Sequence, residues 1–305
     1  MKMERSFFCR IVEKLNRENL LNCMSDKMYL KLMFYAKFGR RLNLQDPQTF
    51  NEKLQWLKLY DRRPEYTTMV DKYEAKKYVA ERIGKQYIIP TLGVWDRFDD
   101  IDFEQLPDQF VLKTTHDSGS VIICRDKASF GKNKARKKLE RSLKQNYYPQ
   151  GREWPYKDVK PRIIAEQYLV DESGYELKDY KLMCFDGEVR CSFVCSNRYS
   201  KTGLCVNFYD RNWEPMPFER KYPRSADETA MPENYIQMVK FAEMLSENMT
   251  FLRVDFYEAN HQLYFGELTL YPGSGMEEFR PEEWDYKLGE YIKLPDSTGR
   301  ASDKQ

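Results

Sequence analysis

Histidine is almost missing: the chain of 305 residues has two, His116 and His261. Cysteine is present in an odd number, as Cys9, Cys23, Cys124, Cys184, Cys191, Cys195 and Cys205, and no two of the seven form a CxxC pair. Scarce histidine and unpaired cysteine spacing argue against a zinc centre or a disulfide framework, and a reducing cytoplasm is the expected compartment. An excess of one charge sign is also lacking, with 50 Lys and Arg against 48 Asp and Glu, so net charge gives no argument for a nucleic-acid partner. No apolar run reaches the length of a signal-peptide core or a membrane span, and no internal repeat or low-complexity tract stands out. What remains is a soluble globular chain with room for about two domains, or one elaborate one, around a sizeable core.

The first stretch places Phe7, Phe8, Ile11, Val12 and Leu15 at helical spacing with basic residues between them, followed by Met28, Leu30, Leu32, Met33 and Phe34. A helix packed on the core is the plain reading, and peripheral contact with a membrane is the alternative. Thr49 and Glu52 give a capping box to a helix in Asp46 to Leu59, and Asp71 to Ile83 starts a second helix ended by Gly84. Tyr87 to Trp95, interrupted by Pro90 and Gly93, reads as an edge strand or a bent one. These signals divide the chain into a helical N-terminal region, residues 1–64, and an α+β body, residues 65–305. The body has an N-terminal part over about 65–160 and a C-terminal part over about 161–295.

Two stretches in the body could bind nucleotide. The alternating strand FVLKTT brings Lys113 to the turn His116, Asp117, Ser118, Gly119 and Ser120, where a cation and free backbone N–H groups suit phosphates; an ordinary hairpin is the competing reading. Arg125 to Lys144 holds nine basic residues against two acidic ones, either a solvated helix face or an attractor for an anionic polymer or a membrane surface. Pro149 to Pro161 reads as a mobile loop. Arg162 to Val170 is an apolar strand with Glu166 inside it. Asp179 to Val189 is a strand turning at Asp186-Gly187, with Asp179 and Lys181 on one face, and Arg190 to Arg198 extends that sheet. Pro232 to Met249 is expected as a helix packing Ile236, Val239, Phe241, Met244 and Leu245 inward.

The most informative stretch is Phe251 to Phe279. Arg253 and Asp255 share one face of a first strand, and Glu267 and Thr269 share one face of a second. With Ala259, Asn260 and His261 as a three-residue turn, Arg253 lies opposite Glu267 and all four residues face one way. A two-residue turn without a bulge would send Glu267 to the other side. Carboxylate and hydroxyl oxygens suit Mg²⁺, and a guanidinium beside them suits a phosphate or an oxyanion.

FNEKLQWLK, DKYEAKKYV, FVLKTTHDSGSVI, IIAEQYL, DYKLMCFDG, RVDFY and YFGELTLYPGSG, in this order, resemble the TupA-like branch of the ATP-grasp superfamily over roughly residues 46 to 295. That branch is associated with teichuronopeptide and surface-polysaccharide biosynthesis. The resemblance implies an α+β fold in which two subdomains grip ATP between antiparallel sheets, with a helical N-terminal extension. It implies ATP and Mg²⁺ as cofactors. Lys72 and Lys113 would contact phosphates under a lid of Ser118, Gly119 and Ser120. Glu166, Gln167, Tyr168 and Leu169 would form the adenine hinge, with backbone groups of Gln167 and Leu169 reading the base edge, while Lys181 and Arg198 would face phosphate. Asp255 and Glu267 would hold metal, with Thr269 standing where the superfamily usually has Asn, and Arg253 would stabilise a tetrahedral intermediate.

Such a site implies an ATP-dependent carboxylate-amine ligase. A carboxylate is first phosphorylated to an acylphosphate, and an amine then displaces phosphate, with Arg253 and N–H groups near Gly273 to Gly275 around the oxyanion. The substrates implied are an acidic glycan or a nucleotide- or lipid-linked sugar, and an amine such as an amino acid, used in the cytoplasm or at the inner face of the membrane. Two other readings remain. Asp100-Ile101-Asp102 has the DxD spacing of metal-dependent glycosyltransferases, and a non-catalytic ATP-binding assembly protein would need only part of the site.

Overall fold

The computed structural model describes residues 2–171, 177–196 and 203–295, with side chains from residue 7 onward. Helix α1 (Lys2–Arg17) and helix α2 (Asp26–Phe38) form an antiparallel pair with their own small core of Val12, Leu21, Tyr29, Leu30 and Phe34. The Ser25 side chain caps α2, and Gly39, with φ of 70°, ends it. Helix α3 (Phe50–Tyr60) begins with the expected capping box between Thr49 and Glu52. A short helix α4 (Glu65–Val70), not foreseen, precedes α5 (Glu74–Ile83). The latter starts three residues later than expected because Asp71 lies outside it, its carboxylate accepting from the N–H groups of Tyr73 and Glu74.

Strands β1 (Thr91–Trp95), β2 (Phe110–Thr114), β3 (Ile122–Cys124) and β4 (Ile163–Gln167) build an antiparallel sheet in the order β1-β4-β2-β3, so β1 is an edge strand, with a register shift at Thr91/Gly93. Helix α6 (Lys132–Leu143) covers one face of that sheet through Ala135 and Leu139. Its charges stay outside. Strands β5 (Asp179–Phe185), β6 (Glu188–Ser196) and β7 (Cys205–Asp210) belong to a second sheet. Arg190 to Ser196 is thus not a third segment but the body of β6, the return strand of the Asp186-Gly187 hairpin. The first described residue of β7 comes after a gap that contains Arg198, and Arg198 lies outside the described residues.

The short strand β8 (Glu219–Arg220) is followed by helix α7 (Tyr235–Leu245), the hairpin β9 (Phe251–Ala259) and β10 (Gln262–Thr269), strand β11 (Phe279–Arg280) and helix α8 (Glu283–Glu290). The second sheet has the order β10-β9-β5-β6-β7, all antiparallel. Helix α7 presents Tyr235, Met238, Val239, Ala242 and Leu245 to it, an i, i+3, i+4, i+7 stripe, and this corrects the expected face: Ile236 and Met244 are exposed.

One core runs from Phe50, Leu54 and Leu57 of α3 through Leu182, Val254 and Phe256 of the five-stranded sheet to Leu288 of α8. Each such side chain contributes about 1.5–3 kcal/mol of burial. The boundary expected at residue 64 therefore falls within a shared core. Helix α3 lies N-terminal to it in sequence and packs with the residues after it.

Candidate active site

The hairpin register differs from the expectation in a way that preserves its purpose. The turn has two residues, Asn260 and His261, both with positive φ, as a tight hairpin turn demands. Phe265 therefore pairs with Phe256, and the next position should face Asp255. That position is Gly266, which is bulged out, so Glu267 rather than Gly266 stands opposite Asp255, and Thr269 opposite Arg253. A side chain at 266 would meet the Tyr257 ring at 2.9 Å and the Asp255 carbonyl oxygen at 3.1 Å. Glycine is what lets the strand step sideways.

Around this pair the charges interlock. Arg253 donates from Nε to Asp255 Oδ1 at 2.6 Å and from Nη2 to Oδ2 at 2.7 Å, and Nη2 stands 3.7 Å from Glu267 Oε2. Lys181, paired in register with Asp255 across β5 and β9, donates to the same carboxylate and lies 2.7 Å from Asp179 Oδ2. Burial pushes the Asp255 carboxyl up, but Arg253 and Lys181 outweigh it and hold the group below the usual range. Lys181 is thus set among carboxylates, between Asp179 and Asp255. Glu267 keeps about a third of its side chain exposed, and the Thr269 hydroxyl is buried without a hydrogen-bond partner.

These atoms fit a divalent cation in part. Among the described residues no three of His, Cys, Asp or Glu gather as a metal cage. Glu267, the orphan Thr269 hydroxyl and Asp255 across the ladder offer hard oxygen donors that leave the remaining positions to phosphate and water, the arrangement Mg²⁺ favours in nucleotide sites. Asp255 would have to share oxygens that Arg253 and Lys181 now occupy.

Two cavities adjoin the hairpin. One of about 420 Å³ lies between the sheets, bounded by Val111 and Lys113 of β2, Ile123 of β3, Glu166 of β4, Cys195 of β6 and Tyr257 of β9, with Gln167, Tyr168 and Leu169 along its rim. Its mixed apolar and polar lining suits a flat base. Glu166 is clasped there by Lys113 and Lys76, each at 2.6 Å. Burial pushes the Glu166 carboxyl up, and the two lysines more than offset it. The Gln167 N–H donates to the Pro90 carbonyl at 3.0 Å, so of that residue's two backbone groups its carbonyl is the one left to consider for a base edge.

The second cavity, about 740 Å³, is more polar and is lined by Arg253, Glu267 and Thr269 with Tyr147, Glu153, Tyr156 and Tyr271. Lys72 sits near both: burial lowers its ammonium, with Glu267 raising and Lys113 lowering it in turn. It donates to the Asp117 carbonyl oxygen. Of the expected lid, Ser118 lines the larger cavity and Gly119 is exposed at φ of 92° with open space around it. The Ser120 hydroxyl is buried and turned inward, donating to Asp117 Oδ1 at 2.7 Å and accepting from Thr114 N at 2.9 Å.

Several participants were not foreseen. Pro149 to Pro161, expected to be mobile, packs Arg152, Glu153 and Tyr156 into the interior. Lys58 of α3 is fully buried, and its Nζ donates to Gly151 O, Ser274 O and Ser274 Oγ, each at 2.8 Å. Burial pushes its ammonium down to about 8, with Glu153 pulling the other way. Gln55 adds bonds to Ser274 O and Gly275 O. Together they pin the turn Gly273-Ser274-Gly275, whose three residues all have φ between 55° and 59°. Of the N–H groups there, that of Ser274 is already given to Tyr271 O at 2.8 Å. A weak signal for Lys76 was its i, i+4 spacing from Lys72; Lys58 and Glu153 had none. Asp100 and Asp102 lie away from both cavities, Asp100 bound to Arg97 and Asp102 accepting from Glu104 N and Gln105 Nε2.

A search of curated proteins finds no match. Among solved structures, D-alanine–D-alanine ligase from Helicobacter pylori is 14% identical with a TM-score of 0.44, covering 85% of this chain and 68% of that one. The Bacillus anthracis D-alanine–D-alanine ligase complexed with ATP is 16% identical with a TM-score of 0.43, covering 73% and 64%. ATP-grasp ligase PsnB, complexed with minimal precursor, Mg and ADP, is 11% identical with a TM-score of 0.39, covering 72% and 57%. Two of these three ligases are spanned over less than two thirds of their own length. The description "TupA-like ATPgrasp" matches residues 52–293, the greater part of the sequence and all of the site just described, and the chain belongs to that family.

Proposed function

We propose that this protein is an ATP- and Mg²⁺-dependent carboxylate-amine ligase that attaches an amino acid to a uronic acid or peptide component of a bacterial surface polysaccharide. The observation that carries the reading is the wall shared by Arg253, Glu267 and Thr269 in the 740 Å³ cavity, next to the smaller cavity between the sheets. The smaller one would take the adenine, and Lys113 and Lys72 the phosphates. Mg²⁺ would be held by Glu267, Asp255 and Thr269 and would supply charge neutralisation at the phosphates.

The carboxylate substrate would enter the larger cavity, take the γ-phosphoryl group and become an acylphosphate. An amine then attacks the acyl carbon and phosphate leaves, the amine proton passing to solvent or a neighbouring base. Arg253, oriented by its two bonds to Asp255, points a fixed positive charge at the developing oxyanion. Four tyrosines at or near the cavity, Tyr147, Tyr156, Tyr222 and Tyr271, offer ring faces and hydroxyls of the kind a sugar ring takes, which supports a glycan acceptor over a small free acid. The cytoplasm supplies ATP and suits buried free thiols such as Cys184 and Cys191, which burial pushes up to about 12.

ADP release measured with Mg-ATP and a grid of uronic acids or uronate oligosaccharides against amino acids is the test. At least one pair should turn over with matching amide formation, and Glu267→Ala should lower that rate by roughly a thousandfold while leaving the protein folded. Tight Mg-ATP binding with no turnover for any pair would leave a binding protein rather than a ligase.

A further inference from the structure

Helix α1 meets the rest of the molecule along a narrow seam. Val12 is buried, Cys9 and Leu15 are half-buried, and Cys9 Sγ donates to the Ala36 carbonyl at 2.7 Å. Phe7, Phe8 and Ile11 lie beside that seam on its outer side, with Phe7 68% and Ile11 41% exposed. The next strip around the helix is Arg10, Lys14 and Arg17, all exposed. A surface helix ordinarily turns its aromatic and branched residues to the core; here a strip of them stands between the buried seam and a basic ridge.

The strip continues onto α2. The Phe8 ring meets Tyr35 edge-on with centroids 5.8 Å apart, and Tyr35 and Met28 of that helix are themselves exposed. Charge is concentrated in the same place. Residues 7–41 hold eight Lys and Arg against three Asp and Glu, in a chain that is nearly balanced as a whole. Of the three acids, Asp26 is drawn inward by Arg62 and Arg152, and Glu18 stands 3.9 Å from Lys14; of the eight basic residues, Arg40 is drawn inward by Glu52 and Asp285.

A second copy of the chain would meet the apolar strip at the expense of bringing two basic ridges together. An anionic bilayer satisfies both features: the acyl boundary receives Phe7 and Ile11, and the headgroups receive Arg10, Lys14 and Arg17. We infer that the outer face of α1, extended by Tyr35 and Met28 of α2, docks on an anionic lipid membrane. Lys37, two residues beyond Tyr35 and so on the other side of α2, lines the 740 Å³ cavity, so docking would place that cavity about one helix width from the lipid surface, within reach of a lipid-linked sugar. This consequence for the substrate rests on the ligase reading; the docking itself does not.

The test is co-sedimentation of the full chain with vesicles of phosphatidylcholine alone and of phosphatidylcholine mixed with phosphatidylglycerol, in low and high salt. Binding is expected to the anionic vesicles only and to weaken with salt, and the double variant Phe7→Glu/Ile11→Glu should lose roughly tenfold or more in apparent affinity. Both positions are exposed, so the variant should keep its circular dichroism and melting temperature, and Mg-ATP binding should be unchanged. Lys134→Gln/Lys137→Gln on α6 is the control and should bind like the parent. No sedimentation with either vesicle overturns the proposal. So does binding that the α6 variant abolishes and the α1 variant does not, or a dimer in solution that the α1 variant dissolves without any vesicle binding. None of these outcomes depends on turnover, so failure here leaves the ligase reading standing.

Discussion

Asp255 accepts three hydrogen bonds from two cations at 1% exposure, and such a group ties stability to pH. Its folded carboxyl is held below the unfolded value of about 3.9, as is that of Glu166 below about 4.3. Their stabilisation is complete above those unfolded values and is lost as pH falls through the lower folded ones. Asp255→Asn should therefore cost about 3 kcal/mol near neutrality, where it leaves Arg253 and Lys181 short of a counter-charge, and the gap should narrow on acidification. Urea midpoints of both proteins from pH 7 to 3 check this, and a gap that widens in acid would refute it. Lys58→Met should destabilise by about 1–3 kcal/mol by taking the donor from the Gly151 carbonyl and the Ser274 hydroxyl, while Ser274 O keeps its bond from Gln55. An unchanged midpoint would show that water replaces the ammonium. Lys113, Glu166, Arg253, Asp255 and Glu267 could be read from alternation along single strands. Lys58 could not, because its partners Gly151 and Ser274 are 93 and 216 residues away and nothing local marks a helical lysine as buried.

The hairpin β9–β10 depends on a single inserted residue. Without the bulge at Gly266, Glu267 would pair with Val254 and turn into the core. Gly266→Val should clash with Tyr257 and the Asp255 carbonyl, lowering the melting temperature and weakening Mg-ATP affinity. Calorimetry together with nucleotide titration separates the two effects. A normal melting temperature and unchanged affinity would mean that the strand accommodates a side chain there. The sequence left two turn lengths open, and a three-residue turn was the simpler way to bring Glu267 to the Asp255 side. The sign pointing to the other solution was Gly266 itself, a glycine inside an otherwise β-rich run. Helix α7 went wrong for a comparable reason. Its run contains enough apolar residues for more than one stripe, and only packing on β5 and β6 selects Tyr235, Met238 and Ala242 over Ile236.

At the scale of the molecule, the two antiparallel sheets and the cavity between them were foreseeable from strand patterns and from the family resemblance. The packing of the N-terminal helices was not, since charge and hydropathy do not reveal which distant segment a helix meets. Helix α3 is the clearest case. Asn51 N donates to Asp285 Oδ1 at 2.9 Å, and Lys53 Nζ reaches the carbonyls of Gly289 and Ile292, both at 2.8 Å. Gly289 packs so tightly against Gln48 and Phe50 that a side chain there would stand 2.2 Å from the Gln48 carbonyl oxygen. Gly289→Leu should thus disrupt the α3–α8 contact and, through Gln55 and Lys58, loosen the Gly273–Gly275 turn, seen as faster hydrogen exchange at both places. Protection lost at α8 alone would show that the turn holds by itself.

The grip of α3 on residues 274–292 has a consequence for how the protein is made. A ribosome releases α3 more than two hundred residues before the segments it clamps, so Phe50, Leu54 and Leu57 emerge long before their core is complete. Until then that helix is a sticky surface on a growing polypeptide, open to chaperones and to neighbouring nascent chains. A truncated product would carry the two sheets yet lack the clamp, so the same contact that shapes the larger cavity also acts as a check on completeness.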